Sequence, residues 1–228
     1  MRPIAIFYHC LFALNTPDNI RDKALLIVQQ QMDAVCVSGL GAAASHFVVG
    51  INGGPESRAF ADILLPPRAL KVFHGLESHA ENLTIVELEK WAKDHANWNV
   101  LYFHAKGCTH PPGDPYGEGV SGPWRDTMTR YLVMGWKHCV QMLESGYDIA
   151  CCHWLWNQCD GTQHIPAGNF LWVNSDFAAR LPSIYLRDRI KVSGIAAAES
   201  RYEAEVYWGN GPRPHVYECL PKGGEGVP

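Results

Sequence analysis

The chain has 228 residues, 47% apolar and 18% charged, with 19 basic against 23 acidic side chains for a net charge of −4. A chain this long buries roughly 70% or more of the surface its unfolded state exposes, so stability requires neither disulfides nor a structural metal. The composition excludes a disordered protein, the acidic balance argues against gripping nucleic acid through its phosphates, and no stretch approaches the roughly 20 apolar residues of a membrane helix.

The pattern along the chain alternates strand and helix. Ile4 to Tyr8 is a continuous apolar run, as expected of a strand covered on both faces. The longer run to Leu14 has the look of a short leader. It contains His9, follows a single Arg and lacks a small-residue cleavage pattern, which favours a buried first strand. Without a leader, the 8 Cys are expected to be reduced thiols of a cytoplasmic protein. Ile20, Ala24, Val28 and Met32 recur at four-residue steps and predict a helix from Asp18 to Val35. Phe47 to Ile51 reads as a second strand stopped by Asn52-Gly53-Gly54, and Lys71 to His74 as a short third. Thr84 and Glu87 have the spacing of a capping box, with Leu83 and Leu88 at the staple positions.

Val100 to Phe103 is the next predicted strand, delivering His104-Ala105-Lys106-Gly107 at its end; Thr109 to Gly122 reads as a loop. A helix is expected from Pro123, with a stripe through Trp124, Met128, Tyr131, Trp136, Cys139, Val140 and Leu143, stopping at Gly146. Strands follow at Tyr147 to Cys152 and Phe170 to Val173. Asn174 or Ser175 caps a short helix, a helical piece runs from Glu199 to Trp208, and the tail from Gly209 reads as irregular. One α/β domain fits this order. In such sheets ligands sit at the carboxyl ends of the strands, near the point where strand order switches.

The strongest local candidate is His104-Ala105-Lys106-Gly107. Two donors spaced two apart on extended chain share a side and suit an anionic group, above all a diphosphate; the plainer alternative is a structural histidine and a solvated lysine. His164 to Phe170 runs from a polar loop into a strand, with Gly168 and Asn169 suited to sugar hydroxyls or to an ordinary turn. Arg201 and Glu205 share a helical face, an ion pair by default, although a carboxylate among aromatics can serve as a base. A zinc reading of Cys151, Cys152, His153 and Cys159 matches no ligand-spacing template, and adjacent cysteines on a strand face opposite ways. Its tryptophans could stack on a sugar ring or pack in the core.

Taken as an ordered set, E-N-L-T at Glu81 to Thr84, Y-F-H-A-K-G at Tyr102 to Gly107 and W-R-x-x-M at Trp124 to Met128 come first. G-Y-D-I-A at Gly146 to Ala150, H-I-P-A-G-N-F at His164 to Phe170 and R-x-x-x-E at Arg201 to Glu205 complete it. The set resembles bacterial and viral glycosyltransferase-like proteins with H-(T/S)-K-G and G-N-F-W-W motifs, distantly similar to rhamnan synthesis protein F. Ala105 stands where that family has a hydroxyl residue, and Leu171 where it has the first Trp.

The resemblance implies a single-domain GT-A-like fold, Rossmann-like, with a mixed, mostly parallel sheet flanked by helices. Residues 1–107 would form a nucleotide-binding half and 108–228 an acceptor half. It further implies transfer of a sugar from a nucleotide-sugar donor to a carbohydrate or glycoconjugate acceptor hydroxyl, as in surface-glycan synthesis. The chain has no D-x-D motif to hold manganese or magnesium, and His104-Ala105-Lys106 occupies its expected place. Lys106 and His104 would then neutralise the diphosphate, or His104 would help hold the metal. Glu205 is the first choice of base and Glu203 the second. Gly168 and Asn169 would line the sugar or acceptor pocket, and Tyr8-His9 would lie by the nucleoside; Gly107, Trp124, Arg125, His164 and Arg201 complete the implied binding set. The competing readings are a non-catalytic nucleotide-sugar or carbohydrate-binding protein on the same fold and, further off, a zinc hydrolase.

Overall fold

Strand β1 (Ile4–Leu11) is buried along its first seven residues, the signature of a strand with neighbours on both edges and helices on both faces. The structure, a computed structural model, describes residues 1–12, 18–75, 80–157, 163–184 and 200–220. After β1 come α1 (Asp18–Val37), α2 (Leu40–Ala43), β2 (His46–Asn52), α3 (Ser57–Leu64), β3 (Leu70–Gly75), α4 (Ala80–Asp94) and β4 (Asn99–His104). A π-helical turn (Gly117–Ser121) then leads into α5 (Gly122–Met128), a second π-helical segment (Thr129–Met134) and α6 (Trp136–Glu144). The remainder comprises β5 (Ile149–Cys151), β6 (Trp154–Asn157), β7 (Gln163–Pro166), β8 (Leu171–Asn174), α7 (Ser175–Ala178), α8 (Ser200–Tyr207) and β9 (Val216–Glu218).

Seven strands form one sheet in the order β3-β2-β1-β4-β8-β5-β9. β8 runs antiparallel to both β4 and β5, and the other pairings are parallel. This is the mostly parallel, Rossmann-like sheet expected, drawing strands from both halves of the chain. Ile6 and Tyr8 face α1, α5 and α6, while Ala5 and Phe7 face α4, α7 and α8, so alternate residues of β1 feed two separate cores.

Several local expectations are corrected. Thr84 is not a cap: α4 already spans Ala80, and the Thr84 hydroxyl pairs with His9 Nδ1 at 2.8 Å. The segment read as loop before Pro123 turns helical at Gly117. Trp154–Asn157 and Gln163–Pro166 pair as an antiparallel hairpin, and the irregular tail contributes β9 beside β5. Asn174 does cap α7, its side-chain oxygen accepting from the Asp176 amide at 3.1 Å.

Candidate functional site

The chain leaves β1 through α1 and moves outward to β2 and β3, then returns through α4 to β4 on the other side of β1. The switch point therefore lies between β1 and β4, at whose carboxyl ends ligands bind in sheets of this kind. His9 and His104 are register partners there. Each lies two residues beyond a side chain of the α4-side core, Phe7 and Tyr102, so both histidines project to that face.

Glu81, in the first turn of α4, is drawn into this face. Its Oε1 accepts from the Tyr102 hydroxyl at 3.0 Å and from Asn169 Nδ2 at 2.5 Å, and meets His104 Nδ1 at 3.5 Å. Asn169 is fixed in turn, its Oδ1 accepting from the buried Trp208 indole at 2.7 Å. Burial pushes the Glu81 carboxyl up to about 7, the Tyr102 and Asn169 bonds and the Lys106 charge opposing it. The side chain keeps 22% exposure, so the group remains reachable.

The tautomer of His104 supports the same protonation. A carbonyl can only accept, so His104 Nε2, 3.1 Å from the Gly168 carbonyl, carries the proton. The neutral ring then turns its Nδ1 lone pair to the Glu81 oxygen, a pairing that favours the carboxylic acid over the carboxylate. Burial and the neighbouring Lys106 hold His104 down to about 3, and burial with His104 and His74 does the same for His9.

Two consecutive residues build the turn that meets His104. Gly168 and Asn169 both adopt left-handed backbone, with φ of 81° and 56°. A side chain at Gly168 would strike the Trp124 indole and Met128. Asn tolerates this region better than most residues, and a strained non-glycine residue is characteristic of functional sites.

The tip of β4 is a tight turn, not a continued strand. The Lys106 amide donates to the His104 carbonyl at 2.8 Å, a three-residue turn. From the α1 side Gln31 Nε2 donates to the His104 carbonyl at 3.0 Å, and Arg125 Nη1 to the Lys106 carbonyl at 3.2 Å. The Lys106 ammonium has no hydrogen-bond or ion-pair partner among the described residues.

The residues singled out from sequence divide accordingly. His104, Lys106, Gly107, Trp124, Arg125, Gly168 and Asn169 meet around the tip, and His9 adjoins it. Tyr8 does not face a ligand: it is fully buried on the opposite face, its hydroxyl donating to Gln31 at 2.7 Å. His104 is not the cation expected, being neutral with one nitrogen committed to Gly168. His164 lies on β7 with its ring against Trp156 at 4.9 Å. Glu205 is half-buried on α8, three residues before Trp208, while the side chains of Arg201 and Glu203, and all of Cys159, lie outside the described residues. Cys151 and Cys152 feed opposite cores, and Trp154 is a core residue.

Glu81, quoted from sequence only as the start of the E-N-L-T motif, was given no role there. It has no basic residue three or four positions away to pair with on its helix, a signal visible in the sequence. Among the described residues no group of three His, Cys, Asp or Glu side chains is placed to hold a metal ion. The donors at the tip, one ring nitrogen facing a carboxyl and one ammonium, do not fit the manganese or magnesium that the resemblance allows.

No protein-family model matches this chain, and no curated protein does. Among solved structures, a crystal structure of a "putative nucleotide-diphospho-sugar transferase" from Desulfovibrio desulfuricans G20 is similar at 13% identity. It is matched over 96% of this chain and 80% of that one with a TM-score of 0.48, a likeness too distant to carry an assignment. The class of protein is defined by the sheet itself: a Rossmann-like α/β domain with a cluster of titratable side chains at its switch point. No helix among the described residues is long and apolar enough to cross a membrane.

Proposed function

We propose that the chain transfers a sugar from a nucleotide-sugar donor to an acceptor hydroxyl, with Glu81 taking the acceptor proton and Lys106 facing the leaving diphosphate. The acceptor oxygen attacks the anomeric carbon, the bond from that carbon to the diphosphate oxygen breaks, and its electron pair leaves on the diphosphate. The proton released by the hydroxyl passes to Glu81.

The observation that carries this reading is a reachable carboxyl poised near 7 at the switch point, beside an unpaired lysine. A base works best when its pKa lies near the working pH, and Glu81 is tuned there by burial. The ordered motifs, in their resemblance to those of glycosyltransferase-like proteins, point to the same reaction class. Neutral His104 and the Asn169-Trp208 pair hold Glu81 in place without competing for its proton.

The test is sugar transfer, assayed over a panel of nucleoside diphosphate sugars, in Glu81→Gln and Glu205→Gln. Glu81→Gln should bind the donor and fail to transfer, while Glu205→Gln retains transfer. Loss confined to Glu205→Gln would move the base to α8, the choice made from sequence.

A further inference from the structure

Helix α1 brings a second set of charges to the β4 tip. Gln31, which holds the His104 carbonyl, lies eight residues after Lys23 on α1. Eight residues of α-helix span about 12 Å. Because α1 descends antiparallel to β1 and β4, Lys23 lies toward the carboxyl ends of those strands. The Cys108 thiol, two residues past Lys106, feels the positive charge of both Lys23 and Arg125.

Lys23 Nζ is buried and has no hydrogen-bond partner among the described residues. A buried ammonium without a counter-charge is an arrangement that folds avoid unless something else repays it. Lys106 is also unpaired. Arg125 is one-eighth exposed, with Nη2 3.2 Å from the exposed Asp126 carboxylate and Nη1 on the Lys106 carbonyl. Among the described residues the remaining carboxyl near the tip, Glu81, is pushed up to about 7 by burial. The cluster thus holds more positive charge than the described carboxylates neutralise.

We propose that Lys23, Lys106 and Arg125 form a diphosphate site, with Lys23 as its buried anchor. This rests on the reading above that the chain takes a nucleotide donor, and adds a residue that no motif marks. Two lysines and a guanidinium on either side of one turn suit two linked anionic groups better than a single carboxylate or phosphate, which would leave one ammonium unpaired. Lys23 is predicted to trade stability for binding: it burdens the empty protein and is relieved by the ligand.

The experiment titrates inorganic pyrophosphate, then a nucleoside diphosphate, into wild type, Lys23→Met, Lys23→Gln and the remote control Lys90→Met by calorimetry, with melting curves of each. Wild type should bind pyrophosphate, and both Lys23 variants should bind at least tenfold more weakly while melting higher than wild type without ligand. Lys90→Met should match wild type in binding. Either Lys23 variant suffices if the other fails to fold. Equal affinity in wild type and the Lys23 variants, or no pyrophosphate binding by wild type, overturns the anion site. Sugar transfer that survives in Lys23→Met removes the anchor and leaves the proposed function standing. Lys23-dependent binding without transfer by wild type keeps the anchor and removes the transferase.

Discussion

On the α4 side of the β4 tip, His9, His104 and Glu81 are titratable groups that burial holds in their neutral forms or close to them. On the α1 side stand Lys23 and Arg125, with Lys106 on the turn between. The two sides differ in kind, because a histidine or carboxyl exchanges a proton near neutral pH, whereas a lysine or arginine does so far less readily. In the proposed function, proton exchange and charge binding thereby fall to opposite sides of the β4 tip, an arrangement that suits a reaction needing both.

The largest way to break this division is at Glu81. Glu81→Gln keeps an oxygen to accept from Tyr102 and Asn169 but cannot take a proton, and transfer should fall by about 10²- to 10⁴-fold with donor affinity retained. Lys106→Ala should cost about 10²- to 10³-fold in transfer and should weaken donor binding as well, since its charge is felt in both states. If Lys106→Ala spares transfer, the cation on the turn has no part in the reaction.

Stability tests sharpen the same contrast. Gly168→Ala should destabilise by about 2–4 kcal/mol, combining a collision with Trp124 and Met128 and an unfavourable left-handed backbone. The pH dependence has two opposed parts. His9 and His104 are lowered from 6.5 to about 3, so the unfolded chain binds more protons and stability is lost as pH falls through that window. Glu81 is raised from 4.5 to about 7, so the folded protein binds the extra proton and stability is lost as pH rises from 4.5 to 7. Glu81→Gln should therefore melt higher than wild type at pH 8 and show no such gain at pH 4. Thr84→Val, which removes the hydroxyl partner of His9, should cost only about 1 kcal/mol.

The parts of this picture that could be read from sequence are those governed by local pattern. β1, β2 and β4 are buried on both faces and so appear as continuous apolar runs, and Asn174 caps a helix with a partner two residues away. What could not be read depends on distant partners. Thr84 looked like a cap because its hydroxyl's true partner, His9, is 75 residues away. Tyr8 and His9 were assigned to one ligand, yet strand alternation sends them to opposite faces, a consequence available from the period of two. Glu81 carried little signal because its tuning comes from Tyr102, His104 and Asn169, which only the fold assembles. Lys23 was not singled out, because nothing in the local pattern of its helix marks it.

The most direct measurement is the ionisation of Glu81 itself, followed as the side-chain carboxyl carbon signal by NMR from pH 4 to 9 and assigned by its absence in Glu81→Gln. A midpoint near 7 is predicted for wild type, moving higher in Tyr102→Phe, because the hydroxyl bond that this change removes favours the carboxylate. A midpoint near 4.5, the ordinary glutamate value, would contradict the account, since the carboxyl would then be a plain surface acid with no capacity to act as a tuned base.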